Sequence, residues 1–225
     1  MESINDSKDV LPLVTSTEKK CEVNNTVNCT VKEIGGLIQD ALLFKQGSLV
    51  VSGWSNNTCI GDVHLCTFGL SISFWVYFDA VHSNLSHIFS NALSTQSPSS
   101  SVRGLDIHCQ ASTNNNYTVQ CFATYKYNST KLETEFTITK KHWVHLVVTW
   151  HTFHSLQVII NGHLLPGIST STTLSSSTIL SDRTVVIGAL DSPHKFYVDD
   201  LRMFDRYFNE EEARKLFGKL NETRK

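Results

Sequence analysis

Between residues 70 and 78 every second position is a large apolar one: Leu70, Ile72, Phe74, Val76 and Phe78. A period of two places all five on one face of a β-strand. Strand signals of this kind recur along the whole chain. Residues 143–150 are apolar on both faces, as a central strand between packed layers can be. Residues 156–160 run into Asn161-Gly162 and then His163-Leu164-Leu165. Asn-Gly favours the type I′ turn, so a hairpin is predicted here. Further strands are predicted near 49–51, 87–90, 133–138, 184–188 and 196–204. They are spread over 225 residues with no linker and no internal repeat, which suits a single two-sheet sandwich. A chain of this length buries roughly 70% of its unfolded surface, enough for a core without staples.

One helix is predicted, over residues 210–217. Asn209 is a good N-cap and Glu212, three residues on, completes a capping box. Glu210, Glu211 and Glu212 sit at the positive end of the helix dipole, with Arg214 and Lys215 toward the negative end. Gly218 is expected to end the helix in the left-handed conformation. Ala213, Leu216 and Phe217 form the face that packs on a sheet. Two Ser/Thr-rich stretches, 94–101 and 169–178, cannot bury apolar surface and are expected to be exposed, mobile loops.

Six cysteines, at 21, 29, 59, 66, 109 and 121, form an even set in near pairs, which suits an oxidising compartment. Sequence leaves fifteen pairings open; the nearest-neighbour set Cys21–Cys29, Cys59–Cys66 and Cys109–Cys121 is expected. The last has a geometric reason. Residues 104–110 and 118–126 read as strands, and a hairpin folded at Asn115 sets Cys109 opposite Cys121, each six residues from the tip. No C-x-x-C occurs and no histidine follows at finger spacing, which argues against a zinc finger.

Eight Asn-x-Ser/Thr sequons begin at Asn5, Asn24, Asn28, Asn56, Asn84, Asn116, Asn128 and Asn221. Chance would give about three from this composition, and a sequon is the acceptor for a bulky surface glycan of secreted proteins. The excess predicts an extracellular or cell-surface domain. Met1 is followed by polar residues with no apolar signal run, so the chain is read as an ectodomain fragment or mature form. No stretch is long and apolar enough to span a membrane as a helix. The formal charge of −2 points to no nucleic-acid partner.

Seven segments together carry a family resemblance. "DALLFKQGSLVVSG" (40–53) resembles the opening strands of laminin G-like and pentraxin-like domains. "CIGDVHLCTFGLSISFWVYF" (59–78) resembles the two-cysteine loop and following strand of such domains on adhesion-type G-protein-coupled receptors. "WVHLVVTW" (143–150), "LQVIINGHLL" (156–165), "VVIGA" (185–189) and "YVDDLRMFDRYFNEEEARKLF" (197–217) follow in the family's order, and "LPL" (11–13) sits where the first strand usually lies. The resemblance implies an all-β, concanavalin A-like jelly-roll sandwich of two antiparallel sheets, about a dozen strands and a short C-terminal helix. The expected layout is a flexible extension over 1–8, one domain over 9–218 and a tail over 219–225. The implied function is an extracellular recognition or adhesion module of a receptor or secreted glycoprotein, binding a protein or glycan and free to form homo-oligomers. The fold's alternatives are a carbohydrate-active enzyme and a calcium-dependent pentraxin-like oligomer.

No catalytic residue is expected. Glu133 and Glu135 share a strand face, but the Glu-x-Asp-x-(x)-Glu strand signature of the fold's glycosidases is missing, so a solvated face is the expectation. Asp199 and Asp200 are expected on opposite faces of a regular strand, anchoring the last strand and helix. Asp62, Asp191 and Asp199 are the calcium candidates, with nothing to bring them together; no cofactor is otherwise expected. Of His142, His145, His151 and His154, the first two should face opposite ways, and His145, in the family's Trp-x-His pattern, is expected to pack structurally. Tyr117, Tyr125 and Tyr127 are placed on an edge region, where packing in the core or along the edge is expected rather than an interface role. No sequon begins between residues 130 and 220, so a partner is expected to use this C-terminal strand set.

Overall fold

The computed structural model describes residues 11–12, 31–35, 40–44, 47–51, 59, 65–81, 86–91, 104–112, 117–127, 130–166, 170–173, 185–189 and 195–222. The strands are β1 (Leu11–Pro12), β2 (Val31–Gly35), β3 (Asp40–Phe44), β4 (Gly47–Val51), β5 (Leu70–Ala80), β6 (Ser86–Ser90), β7 (Gly104–Ala111) and β8 (Thr118–Tyr127). They continue with β9 (Thr130–Thr139), β10 (Val144–His151), β11 (Ser155–Ile160), β12 (His163–Leu164), β13 (Thr170–Thr173), β14 (Val185–Ala189) and β15 (Lys195–Phe204), before helix α1 (Glu210–Glu222). Every pairing between these strands is antiparallel, and an isolated parallel bridge joins Phe68 to Arg206. An eight-stranded sheet runs β12-β11-β10-β5-β15-β3-β2, with β1 on β15, and a seven-stranded sheet runs β13-β9-β8-β7-β6-β14-β4. This is the expected jelly-roll sandwich.

Strand β5 holds the middle. Leu70, Ile72, Phe74, Val76 and Phe78 are buried between the sheets. Each contributes about 1.5–3 kcal/mol by leaving water. The facing layer comes from Leu105, Ile107, Cys109, Val119, Cys121, Ala123, Tyr125, Phe136 and Ile138 of the second sheet. Tyr125 stacks on Trp150 at 4.2 Å across the core. Tyr125 is therefore not an edge residue: β8 lies between β7 and β9, whereas Tyr117, at the hairpin end, is largely exposed. The edge placement fails because a tyrosine's alternation does not say how many neighbours its strand has.

The opposite face of β5 is buried as well, by the returning C-terminus. Ser71 Oγ and Thr149 Oγ1 lie 2.7 Å apart, and both accept from Phe208 N at 3.0 Å; Ser71 Oγ also reaches Arg206 O at 2.7 Å. These buried hydroxyls hold the segment that leads into α1. Asn209 and Glu212 form the reciprocal box, at 2.9 Å and 3.1 Å. Ala213 and Leu216 pack against Val147, Ile159, Phe204 and Phe208, and Phe217 lies against Trp75 and His145. The helix does not stop at Gly218 but continues to Glu222. Gly218 is not among the glycines with positive φ, so the helix continues through it instead of ending in the left-handed conformation. It thus crosses the boundary expected between domain and tail.

Residues 170–173 are exposed as expected but form an edge strand rather than a loop, pairing with β9 from Thr170↔Glu133 to Thr173↔Thr130. β-branched threonines suit a pleated edge that faces water on both sides. The Asn161-Gly162 turn is confirmed, with φ of 52° and 79°; Asn161 further accepts from His145 N through Oδ1 at 2.9 Å. Cys109 and Cys121 are direct cross-strand partners, bonded, with Cα atoms 4.1 Å apart. Cys59–Cys66 is also bonded. Cys21, Cys29 and the stretch 94–101 lie outside the described residues.

Two predictions follow from this packing. Gly69 has φ of 93°, and a Cβ there would stand 2.5 Å from Trp150 O and 2.9 Å from Tyr207 Cβ and N. Gly69→Ala is expected to cost about 2–4 kcal/mol, strain plus overpacking; an unchanged urea midpoint would contradict the close approach. Replacing both Cys109 and Cys121 by Ala is expected to lose about 2–4 kcal/mol through the freed unfolded chain, read from guanidinium unfolding at equal protein concentration.

Candidate functional site

Helix α1 sits on the outer face of the eight-stranded sheet. The outer face of the seven-stranded sheet is built instead from polar side chains that alternate with core residues. On β7, Leu105, Ile107 and Cys109 point inward, so Asp106, His108 and Gln110 point outward. On β8 the outward set is Gln120, Phe122, Thr124 and Lys126. The side chains link across strands: Gln110 Nε2 donates to Gln120 Oε1 at 3.0 Å, and Gln120 Nε2 to Glu135 Oε1 at 2.5 Å. Thr124 Oγ1 donates to Glu133 Oε2 at 3.1 Å, which also receives Lys131 Nζ at 2.7 Å.

At the β6–β7 junction this face carries its densest chemistry. His87 and His108 are direct cross-strand partners. His87 Nδ1 lies 2.7 Å from Asp106 Oδ1, and His108 Nδ1 lies 2.9 Å from Asp106 Oδ2. An ionised carboxylate only accepts, so both Nδ1 atoms carry hydrogens and both Nε2 atoms are left for other partners. Phe122 stacks on His108 at 5.3 Å with 22° between the rings. Burial pushes the Asp106 carboxyl up, but the hydrogen bonds and charges of His108 and His87 outweigh it and hold it below the usual carboxylate range. Burial lowers His87, and the Asp106 hydrogen bond and charge more than offset this, leaving it raised against a smaller opposition from Lys126.

Sequence reading missed this trio. A register shift between His87 and Phe89 inserts one residue in β6. Ile88 and Phe89 are thereby both buried, while His87 faces out beside His108. Without that bulge, simple alternation gives no reason to group a histidine at 87 with residues 106 and 108. The Asp-x-His spacing on β7 was the available signal, since i and i+2 share a face.

The residues singled out from sequence fall elsewhere. Glu133 and Glu135 do share the outer face, and the Lys131 and Thr124 bonds overcome burial to lower the Glu133 value. A glycosidase acid needs the opposite shift. His142 is exposed; His145 is fully buried, its Nε2 2.8 Å from Ser73 Oγ, in the structural role expected. His151 and His154 flank Tyr207, which stacks on His154 at 4.7 Å. Asp199 is buried, and Asp62 and Asp191 lie outside the described residues. Asp200 corrects the opposite-faces expectation. Its φ is 49° and the register slips between Asp199 and Arg202, so the strand is bulged rather than regular. Asp200 Oδ1 takes Arg202 Nε at 2.8 Å, and Oδ2 is buried without a hydrogen-bond partner among the described residues. Burial, reinforced by the charge of Asp199, raises its value against the pull of Arg202. Asn5, Asn24, Asn28, Asn56, Asn84, Asn116 and Asn128 lie outside the described residues, and Asn221 lies in the last turn of α1.

Two stacked antiparallel sheets with, among the described residues, one helix on an outer face define a jelly-roll sandwich of concanavalin A-like type. Residues 52–214 match the family model described as the concanavalin A-like lectin/glucanases superfamily, and the chain belongs to that superfamily. No curated protein sequence matches the chain. Among solved structures, the botulinum neurotoxin serotype D binding domain is similar with a TM-score of 0.58 and 13% identity, over 90% of this chain and 46% of that one. The receptor binding domain of the mosaic serotype C/D toxin gives 0.56 and 14%, over 85% and 45%. The binding domain of botulinum neurotoxin DC, in complex with SialylT, gives 0.53 and 15%, over 86% and 45%. The chain thus spans about half the length of these structures, and at such identities the likeness is one of fold.

The Asp106 cluster makes stability depend on pH. A raised His87 value means its contribution is complete below the ordinary 6.5 and is lost as pH climbs past the folded value; a lowered Asp106 value means its contribution is complete above 3.8 and is lost as pH falls. In chelator-treated protein, the stability advantage of the wild type over His87→Gln is expected to peak between pH of about 4 and about 6.5. Urea unfolding across pH measures it, and a flat difference would show that the pair is not coupled.

Proposed function

We infer that this domain is a non-catalytic recognition module that works outside the cell, carried by a cell-surface receptor or a secreted glycoprotein, and that it binds a protein or glycan through one flank of the sandwich. The observation that carries the reading is the placement of the sequon-free stretch. Residues 130–220 supply the terminal strands of both sheets on the same side: β13 and β9 of one, β12, β11 and β10 of the other. The two meet where Thr134 Oγ1 reaches Leu156 O at 3.5 Å. That flank exposes Thr170, Ser171, Thr172, Thr173, His163 and Leu164, and Phe153 is 88% exposed on the turn between β10 and β11. Of the eight sequons only that of Asn128 adjoins this flank, ending on Thr130 at the start of β9, and six others begin earlier in the chain, so most glycans would crowd other surfaces. Recognition also accords with the similar solved structures, which are binding and receptor-binding domains of neurotoxins. Two disulfides in the described residues fit an oxidising compartment.

A glycan wedge tests the flank. Ser171→Asn creates the sequon Asn-Thr-Thr on exposed β13. Secreted from a glycosylating host, this variant is expected to lose about tenfold or more in binding to a panel of cell surfaces, matrix proteins and arrayed glycans, while unglycosylatable Ser171→Gln keeps the wild-type signal. Full binding by the glycosylated variant would move the contact off this flank. A wild type that binds nothing on the panel would undo the recognition reading itself.

A further inference from the structure

The geometry points to a divalent transition-metal site of the zinc type, with His87, Asp106 and His108 as its three protein ligands. One ring nitrogen from each histidine and one carboxylate oxygen of Asp106 lie within 4.8 Å of one another. Zinc takes histidine nitrogen and carboxylate oxygen at about 2.0–2.2 Å, so tetrahedral donors stand roughly 3.3 Å apart. The two Nδ1···Oδ contacts, 2.7 Å and 2.9 Å, run to the two oxygens of Asp106; a cation taking the place of the shared hydrogens opens each by about half an ångström and draws the two imidazoles together around it. Each neutral imidazole then carries its hydrogen on Nε2, and no net proton is released from a neutral ring.

The chemistry of the donor set selects the ion. Two imidazoles disfavour calcium or magnesium, which want oxygen, and suit zinc, copper or nickel. The carboxylate is already ionised, so no proton has to be stripped from it. The donors are pre-arranged: His87 and His108 face each other across β6 and β7, Asp106 lies two residues from His108 on the same face, and Phe122 fixes the plane of His108. The side chains of His87, Asp106 and His108 keep 29%, 12% and 13% of their exposure, which leaves the fourth position open toward solvent. Three protein ligands and an open position would let a bound metal accept an oxygen or nitrogen from a partner. This site is independent of the flank proposed above and involves none of its residues.

The test uses the folded glycosylated domain, stripped with chelator and then titrated with Co2+ and Zn2+. The expected result is one Co2+ per chain with the visible bands of a low-coordinate site, displaced by Zn2+, and a rise in Tm on adding Zn2+. His87→Gln and His108→Gln are each expected to weaken Co2+ and Zn2+ binding by roughly 100-fold. Asp106→Asn should do the same; because Asp106 is buried and its loss can unfold the sheet, the two histidine variants carry the test. The other imidazole pair, His151 and His154, has ring centroids 5.4 Å apart, and the double variant His151→Gln/His154→Gln is expected to bind as the wild type does. Absence of stoichiometric Co2+ binding overturns the assignment. So does binding that survives in His87→Gln and His108→Gln, or that is lost only with His151 and His154.

Discussion

Strand β5 is buried on both sides, and the rest of the architecture depends on that. Its inner face is apolar and meets the second sheet. Its outer face, through Ser71, Ser73 and Trp75, is equally dry but polar at two of three positions. A hydroxyl can be buried only where it is bonded, so the outer face dictates what must cover it. Ser73 is matched by His145, Ser71 by Thr149, and the pair Ser71–Thr149 by the Phe208 amide. The chain is thereby obliged to come back over the eight-stranded sheet after β15, and α1 is delivered to that face. The second sheet, relieved of that cover, is where outward polar side chains accumulate.

Much of this was legible from sequence, and the reasons differ by element. Strand β5, the β10–β11 pair and the β7–β8 hairpin announce themselves by period-two alternation, by Asn-Gly and by paired cysteines, all of which are local signals. The helix start is legible for the same reason, because Asn209 and Glu212 bond each other three residues apart. The helix end is not, because a glycine permits a left-handed turn without requiring one. Tyr125 was misplaced because strand order is a non-local property. The Ser/Thr run at 170–173 reads as a loop in the sequence because its pairing with β9 leaves no apolar trace.

The His87–Asp106–His108 trio was illegible for a sharper reason. Its members sit on two strands, and the strand that brings His87 is bulged. One inserted residue lets Ile88 and Phe89 enter the core together, so the apolar pattern that would have oriented His87 is broken at the residue that matters. The same device appears at Asp200 in β15, where a left-handed residue shifts the register and overrides the opposite-faces rule. Alternation predicts faces only while it is uninterrupted, and among the described residues two of the three register shifts, at His87/Phe89 and at Asp199/Arg202, fall beside an imidazole or a carboxylate.

The edges of the sandwich limit how a partner can be held. A long open edge strand invites another chain to add to it through backbone hydrogen bonds. On the sequon-free flank, β12 has two residues and β13 has four, all Ser or Thr. Edges so short and polar offer few consecutive backbone groups and no apolar pocket to select a strand. Binding on that side is therefore expected to depend on side chains at the rim, with Phe153 supplying the exposed aromatic surface and the hydroxyls of β13 supplying hydrogen bonds, rather than on strand addition. The same economy leaves little edge on this flank for a second copy of the chain to pair with.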